Sequence, residues 1–206
     1  FHALSFRSIH FKINELLEKG LKNDALKEID KTIAVYGDDG YNATETWHLQ
    51  KVAILEKRND KAGLIEEYRR LFRQHLVDKR TYFEKLKELV AKEEWDEFVM
   101  KLFGDIPHIT DDDCILVCDM IVEEKKFSCL MKILLDNVMS FSRVQLFKKY
   151  APYMSEEDQA TYTNHVIEEL RMHLSYAKSK SYGYIVDDIK GMYTCCEVSK
   201  KLILDF

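Results

Sequence analysis

Apolar residues recur at three- and four-residue spacing along almost the whole chain, and strict alternation with period two is nowhere sustained over a strand's length. The pattern predicts an all-α protein of about eleven helices. The first runs over Leu4–Lys19, with Phe6, Ile9, Ile13, Leu16 and Leu17 on one face, and stops at Gly20, which accepts a left-handed C-terminal cap. The second covers Asp24–Val35 and ends in the Gly37-Asp38-Asp39-Gly40 loop. A third passes through Trp47, Leu49, Ala53 and Ile54, and a fourth covers Asp60–His75. Arg80–Ala91 and Glu94–Phe103 follow, then a break at Gly104–Thr110. Beyond it come Asp111–Glu124, Phe127–Leu135, Ser142–Tyr150, Ser155–Ala177 and a long last helix, Ser181–Leu204. Pro107 and Pro152 fall between helices.

Connections this short make successive helices antiparallel neighbours. Two internal similarities add to that picture. Val90–Phe103 set against Val122–Leu135, at an offset of 32, pairs Trp95 with Phe127, Phe98 with Leu130 and Leu102 with Leu134. Leu17-Glu18-Lys19 and Leu26 recur as Leu55-Glu56-Lys57 and Leu64, at an offset of 38. Such periods belong to helix-turn-helix solenoids, whose units bury their apolar faces by stacking. The expectation is a right-handed, α-solenoid-like stack of helical hairpins with an irregular period. It forms a single helical-repeat domain over 1–206 with a sub-boundary near 104–110, closed by a longer helical pair.

The stretch Glu18-Lys19-Gly20-Leu21-Lys22-Asn23-Asp24-Ala25-Leu26 resembles the turn into the second helix of a tetratricopeptide repeat. The likeness stops after Trp47, where Gln50, Lys51 and Ile54 stand at the family's characteristic positions, and each unit lacks the closing proline. A TPR/HEAT-like stack of degenerate units is what it implies. A second resemblance covers the later two-thirds of the chain. Tyr82–Leu89 with Glu94-Trp95, Leu146–Pro152, Glu168-Glu169-Leu170, Tyr184-Ile185-Val186 and Ile189–Met192 are similar to the helical region C-terminal to the zinc finger of bacterial SWIM zinc-finger proteins. Ser181 departs from that pattern, which tends to place an arginine three residues before the tyrosine corresponding to Tyr184. The finger's own Cys-x-Cys and Cys-x-His pairs are not in these residues. The resemblance implies a helical support within a larger bacterial polypeptide.

Two prolines and seven glycines are too few for a turn-dense β fold. The 31 basic and 36 acidic residues are scattered, giving a net charge of −5, which argues against a dedicated nucleic-acid-binding domain with its clustered basic surface. Five cysteines, mostly inside apolar helical patterns, fit a reducing, cytoplasmic compartment. No stretch approaches the roughly 18 apolar residues of a membrane span, and no signal-peptide pattern is present. A start at Phe1 and a helix-like run at Glu197–Phe206 without a stop signal read as boundaries within a longer protein.

Cys114 and Cys118 share a helical face, with Cys129 on the next helix and His108 upstream, but a helix of Cys-Ile-Leu-Val-Cys reads as core rather than a zinc knuckle. Adjacent Cys195 and Cys196 point to different faces, one expected in the core and one exposed. Asp111-Asp112-Asp113 stands where a helix begins, so its charges offset unpaired backbone N–H groups; neither it nor Asp38-Asp39 has calcium-loop spacing. His48, His75, His165 and His173 read as surface or boundary residues. Trp47, Trp95, Phe98, Phe103 and Phe127 are expected in the core, and Tyr150, Tyr153, Tyr162, Tyr182 and Tyr184 at partly exposed positions.

One charge cluster stands apart: Arg69, Arg70, Arg73, His75, Lys79 and Arg80, interleaved with Tyr68, Phe72 and Tyr82. It is the candidate partner-binding patch, against the plainer reading of a solvated face balanced by Glu66, Glu67 and Asp78. No catalytic, cofactor-binding or metal-binding residue is assigned. The functional expectation is a non-catalytic scaffold for a protein or peptide partner. The alternative is a nucleic-acid-binding helical array centred on residues 69–80, with an enzyme third. No membrane association is expected.

Overall fold

The computed structural model describes residues 6–36, 42–73, 78–107, 110–136, 143–176 and 182–205. Among them are twelve α-helices and no strand. They divide into two compact units, Phe1–Asp96 and Glu97–Phe206. This division falls in the first turn of α6 rather than at 104–110.

The first unit holds α1 (Phe6–Glu18), α2 (Lys22–Tyr36), α3 (Asn42–Glu56), α4 (Lys61–Arg73) and α5 (Lys79–Leu89), and reaches into α6 (Trp95–Gly104). Each of the first four helices packs on the next in chain order. Two of the connections are the same turn. Gly20 has φ +72°, with its N–H on Leu17 O and that of Leu21 on Leu16 O; Asn59 has φ +53°, with its N–H on Glu56 O and that of Asp60 on Leu55 O. A left-handed residue in this pattern satisfies the last carbonyls of one helix and reverses the chain, and two residues later the next helix starts.

The two turns stand 39 residues apart, Gly20 to Asn59. At 39 the buried positions coincide: Ile9 with His48, Ile13 with Val52, Ala25 with Leu64, Ile29 with Tyr68, Thr32 with Leu71 and Ile33 with Phe72. The identical Leu-Glu-Lys triplets that suggest 38 include exposed Glu18, Lys19, Glu56 and Lys57, which packing does not hold in register. Burial also crosses from one hairpin to the next, since Trp47 and Ile54 of α3 share a core with Ile13 of α1 and Ala25, Ile29 and Ile33 of α2. Farther along, Phe72 meets Phe83 at 6.0 Å and Phe83 meets Trp95 edge-on at 5.4 Å.

The second unit contains α7 (Asp111–Glu123), a 3₁₀ turn (Phe127–Cys129) leading into α8 (Leu130–Asp136), and α9 (Arg143–Tyr150). A second 3₁₀ turn (Ala151–Tyr153), which takes Pro152, precedes α10 (Glu156–Tyr176), α11 (Tyr182–Tyr193) and α12 (Glu197–Leu204). Its packing is not serial: α10 touches α8, α11 and α12, and α9 touches α11. The aromatic core is built around Phe147 stacked on Tyr162, ring centres 4.5 Å apart.

Several expectations change here. The predicted final helix is two helices, because extended Cys196 (φ −159°, ψ 167°) interrupts it and caps α12, its sulfur accepting from Ser199 N–H. The closing pair of long helices is therefore one long helix and two short ones. Tyr150 and Tyr162 are buried rather than half-exposed: each phenol finds an acceptor inside, Tyr150 on Ile115 O and Asp119, Tyr162 on Arg143 O. Phe127 is 38% exposed, so its pairing with buried Trp95 does not carry into packing; it lies in a 3₁₀ turn, while Trp95 opens a helix. Tyr153 and Tyr184 are exposed as expected, and Phe98 is half-buried. Tyr182's side chain, Asp38-Asp39, His75 and His108 lie outside the described residues.

At Gly191 of α11 an added Cβ would stand 2.5 Å from Val144 Cγ1 of α9. Gly191→Ala is expected to lower stability by about 1–2 kcal/mol, overpacking outweighing a helix-propensity gain of about 1 kcal/mol. Adding Val144→Ala should lessen the penalty of the glycine substitution in a double-mutant cycle by urea denaturation. An unchanged or higher midpoint for Gly191→Ala alone would contradict so close a helix contact.

Candidate functional site

The basic cluster does not form one surface. Lys79 is fully buried; its ammonium donates to Phe72 O at 2.9 Å and lies 5.9 Å from the centre of the Phe72 ring. It satisfies a carbonyl near the C-terminus of α4, where the helix dipole favours a cation, and is unavailable to a partner. Arg70 is paired with Glu66 at 3.2 Å and Arg80 with Glu84 at 3.8 Å; Arg69 is half-buried and Arg73 exposed. Tyr68 and Tyr82, the proposed stacking surfaces, are buried against each other at 6.0 Å. Burial and the Glu56 carboxylate raise the Tyr68 phenol to about 12.

The cysteines serve packing. Cys114, Cys118 and Cys129 are buried, with Cys129 Sγ 3.7 Å from Met100 Sδ. The adjacent Cys114 sulfur and burial push the Cys118 thiol far up. Cys195 and Cys196 are both half-buried, so the expected division into one core and one exposed thiol does not hold. Cys195 Sγ lies against Gly191 O at 3.2 Å, and burial raises its thiol to about 11. Among the described residues no three His, Cys, Asp or Glu side chains gather as a metal site, and no helix is long and apolar enough to cross a membrane. Thr110 caps α7, accepting from Asp113 N–H. His165 and His173 are exposed.

His48 is the exception to the surface reading. It is fully buried, and its Nδ1 meets Glu67 Oε1. Glu67, itself 1% exposed, has Lys51 Nζ 2.9 Å from its other oxygen, and Lys51 reaches Asp30 on α2 at 2.8 Å. Burial pushes Glu67 up, but hydrogen bonds and charge from His48 and Lys51 outweigh it and hold the carboxyl below the usual range. Burial likewise lowers Lys51, and Asp30 and Glu67 more than compensate. At positions 39 residues earlier, Lys12 and Glu28 form the same cross-hairpin pair at 2.8 Å. Only the spacing of Lys12–Lys51 and Glu28–Glu67, read at 39, could have pointed to this network.

A concavity of about 160 Å³ opens where the first two hairpins meet, lined by Asn14 and Leu17 of α1, Lys22 at the start of α2, and Gln50, Ala53, Ile54 and Lys57 at the end of α3. Leu17, Ala53 and Ile54 supply an apolar floor. Lys22 and Lys57 stand at its rim, and neither makes an ion pair among the described residues. A neighbouring open depression shares Lys22 and adds Lys27 and Arg58, whose guanidinium reaches Asn23 at 2.8 Å. This groove at the hairpin ends was not singled out from sequence, because its residues come from three helices and each alone is ordinary.

Compared with protein-family models, curated proteins and solved structures, the chain gives no match.

Removing the Glu67 charge leaves Lys51 and His48 without their buried partner, so Glu67→Gln is expected to cost about 3 kcal/mol at neutral pH. Because the Glu67 carboxyl is held below its ordinary value of 4.5, its contribution is complete above that pH and is lost as the pH falls through the depressed value. Urea midpoints between pH 7 and pH 3 should therefore fall more for the wild type than for Glu67→Gln. Parallel curves would remove the network from acid sensitivity.

Proposed function

We propose that this chain is a non-catalytic protein-interaction scaffold, an α-solenoid-like helical-repeat region whose ligand groove lies between its first two hairpins. The observation that carries the reading is that concavity, an apolar floor set between rim lysines and built from residues of α1, α2 and α3. Stacked hairpins expose extended grooves of this kind along their axis, and such grooves suit peptides and partner segments. A nucleic-acid-binding array on residues 69–80 is disfavoured, since Lys79 is buried and Arg70 and Arg80 are paired with carboxylates. As for an enzyme, the buried histidine–carboxylate pair His48–Glu67 is sealed from substrate.

Of the residues resembling the helical region of SWIM zinc-finger proteins, Tyr82, Phe83, Leu86 and Trp95 in the first unit and Leu146, Phe147, Tyr150, Ile185 and Met192 in the second are buried. That suits a supporting role beside another module of a larger bacterial protein. Five free thiols support a reducing, cytoplasmic setting.

Photo-crosslinking in the source organism tests the scaffold reading. A photoreactive phenylalanine at Ala53 should capture a discrete partner, and the same group at exposed Lys31 on α2 should not. Equal capture at both positions, or none at Ala53, would count against a partner in the groove.

A further inference from the structure

We propose that the groove between the first two hairpins binds an acidic peptide segment, with one apolar ligand side chain on the floor of Leu17, Ala53 and Ile54 and its carboxylates at Lys22 and Lys57. The proposal rests on the scaffold reading and names the class of its ligand.

Charge complementarity carries it. Several other lysines of this unit are held by acids, Lys12 by Glu28, Lys19 by Glu15, Lys27 by Asp24, and Lys51 by Asp30 and Glu67. Lys22 and Lys57 are the cations of the groove rim, and the described residues hold no ion-pair partner for either. Among the described residues no acid lines the groove itself. In the adjoining depression the only acid, Asp24, is already 3.6 Å from Lys27, so Arg58 extends the same positive rim. A chain with a net charge of −5 thus presents a local cationic groove, which favours an anionic ligand and disfavours a basic one.

The floor decides between kinds of anion. Nucleic acid bound without sequence readout uses aromatic faces on which bases stack, and among the described residues no aromatic side chain lines this groove. Leu17, Ala53 and Ile54 instead accept an aliphatic side chain, while the amides of Asn14 and Gln50 stand beside the ligand's backbone path. Gln50 is oriented by its 2.9 Å contact with His10 of α1, which ties the groove wall to the hairpin contact itself.

Fluorescence anisotropy with the full chain and labelled pentapeptides tests this. Glu-Glu-Leu-Glu-Glu should bind, with affinity falling as salt rises. Replacing the central leucine by serine should weaken binding about tenfold or more, the equivalent of 1.4 kcal/mol. Lys-Lys-Leu-Lys-Lys and an oligothymidylate should not bind. Lys22→Glu with Lys57→Glu should abolish binding, as should Ala53→Trp, which fills the floor; Lys31→Glu, away from the groove, should leave it unchanged. Circular dichroism checks each fold, and the surface lysine pair carries the test if Ala53→Trp unfolds. The proposal is overturned if the acidic peptide does not bind, if the serine peptide binds equally well, or if the lysine reversals have no effect. Crosslinking at Ala53 without acidic-peptide binding would sink the ligand class while leaving the scaffold reading standing.

Discussion

A helix of thirteen to fifteen residues, such as α1 to α4, is marginal by itself in water and persists only by burying its apolar stripe against neighbours. In the first unit no single hairpin supplies enough cover. The apolar face of α2 is shared, packing Ala25, Ile29 and Ile33 against α1 and against Trp47 and Ile54 of α3. Packing of α2 against both neighbours thus holds the first three helices together. Where two hairpins meet near their turns, short Ala53 cannot fill the space between Leu17 and Ile54, and the stems of Lys22 and Lys57 edge what remains.

The two Lys–Glu pairs, Lys12–Glu28 and Lys51–Glu67, show how the same local chemistry changes with burial. Lys12 and Glu28 remain 49% and 16% exposed, whereas Lys51 and Glu67 are 15% and 1% exposed. The sequence offers the same two residue types at both places. The difference is that α2 lies over Lys51 and contributes Asp30, while His48 stands where the first hairpin has Ile9. Burying a carboxylate this deeply is tolerated because its oxygens meet both an imidazole and an ammonium. The contact also helps hold the register between hairpins, since a slip would strand a charge in the core.

The second unit answers the same need differently. Its helices pack out of chain order, with long α10 against α8, α11 and α12. Close approach at Gly191 and Val144, the partly buried Arg143–Asp188 pair at 2.5 Å and the 2.7 Å Thr163–Ser199 contact join elements remote in sequence. Polar groups inside it are paired across helices, which favours one specific arrangement over generic apolar collapse.

The sequence by itself determined the all-helical class, most helix positions and the turn at Gly20, because three- and four-residue periodicity and a left-handed cap are local properties of the backbone. It also showed which cysteines sit on apolar helical faces. Tertiary structure decided the rest. Buried positions of the first two hairpins coincide at a spacing of 39, the spacing of their turns, whereas the exposed Glu and Lys residues that coincide at 38 are not held by packing. Lys79, His48, Tyr150 and Tyr162 are interior because acceptors on other helices, or across a turn, satisfy their polar atoms, and no residue announces its distant partner. The candidate groove is of the same kind: Asn14, Lys22, Ala53 and Lys57 acquire a shared chemistry only when three helices bring them together.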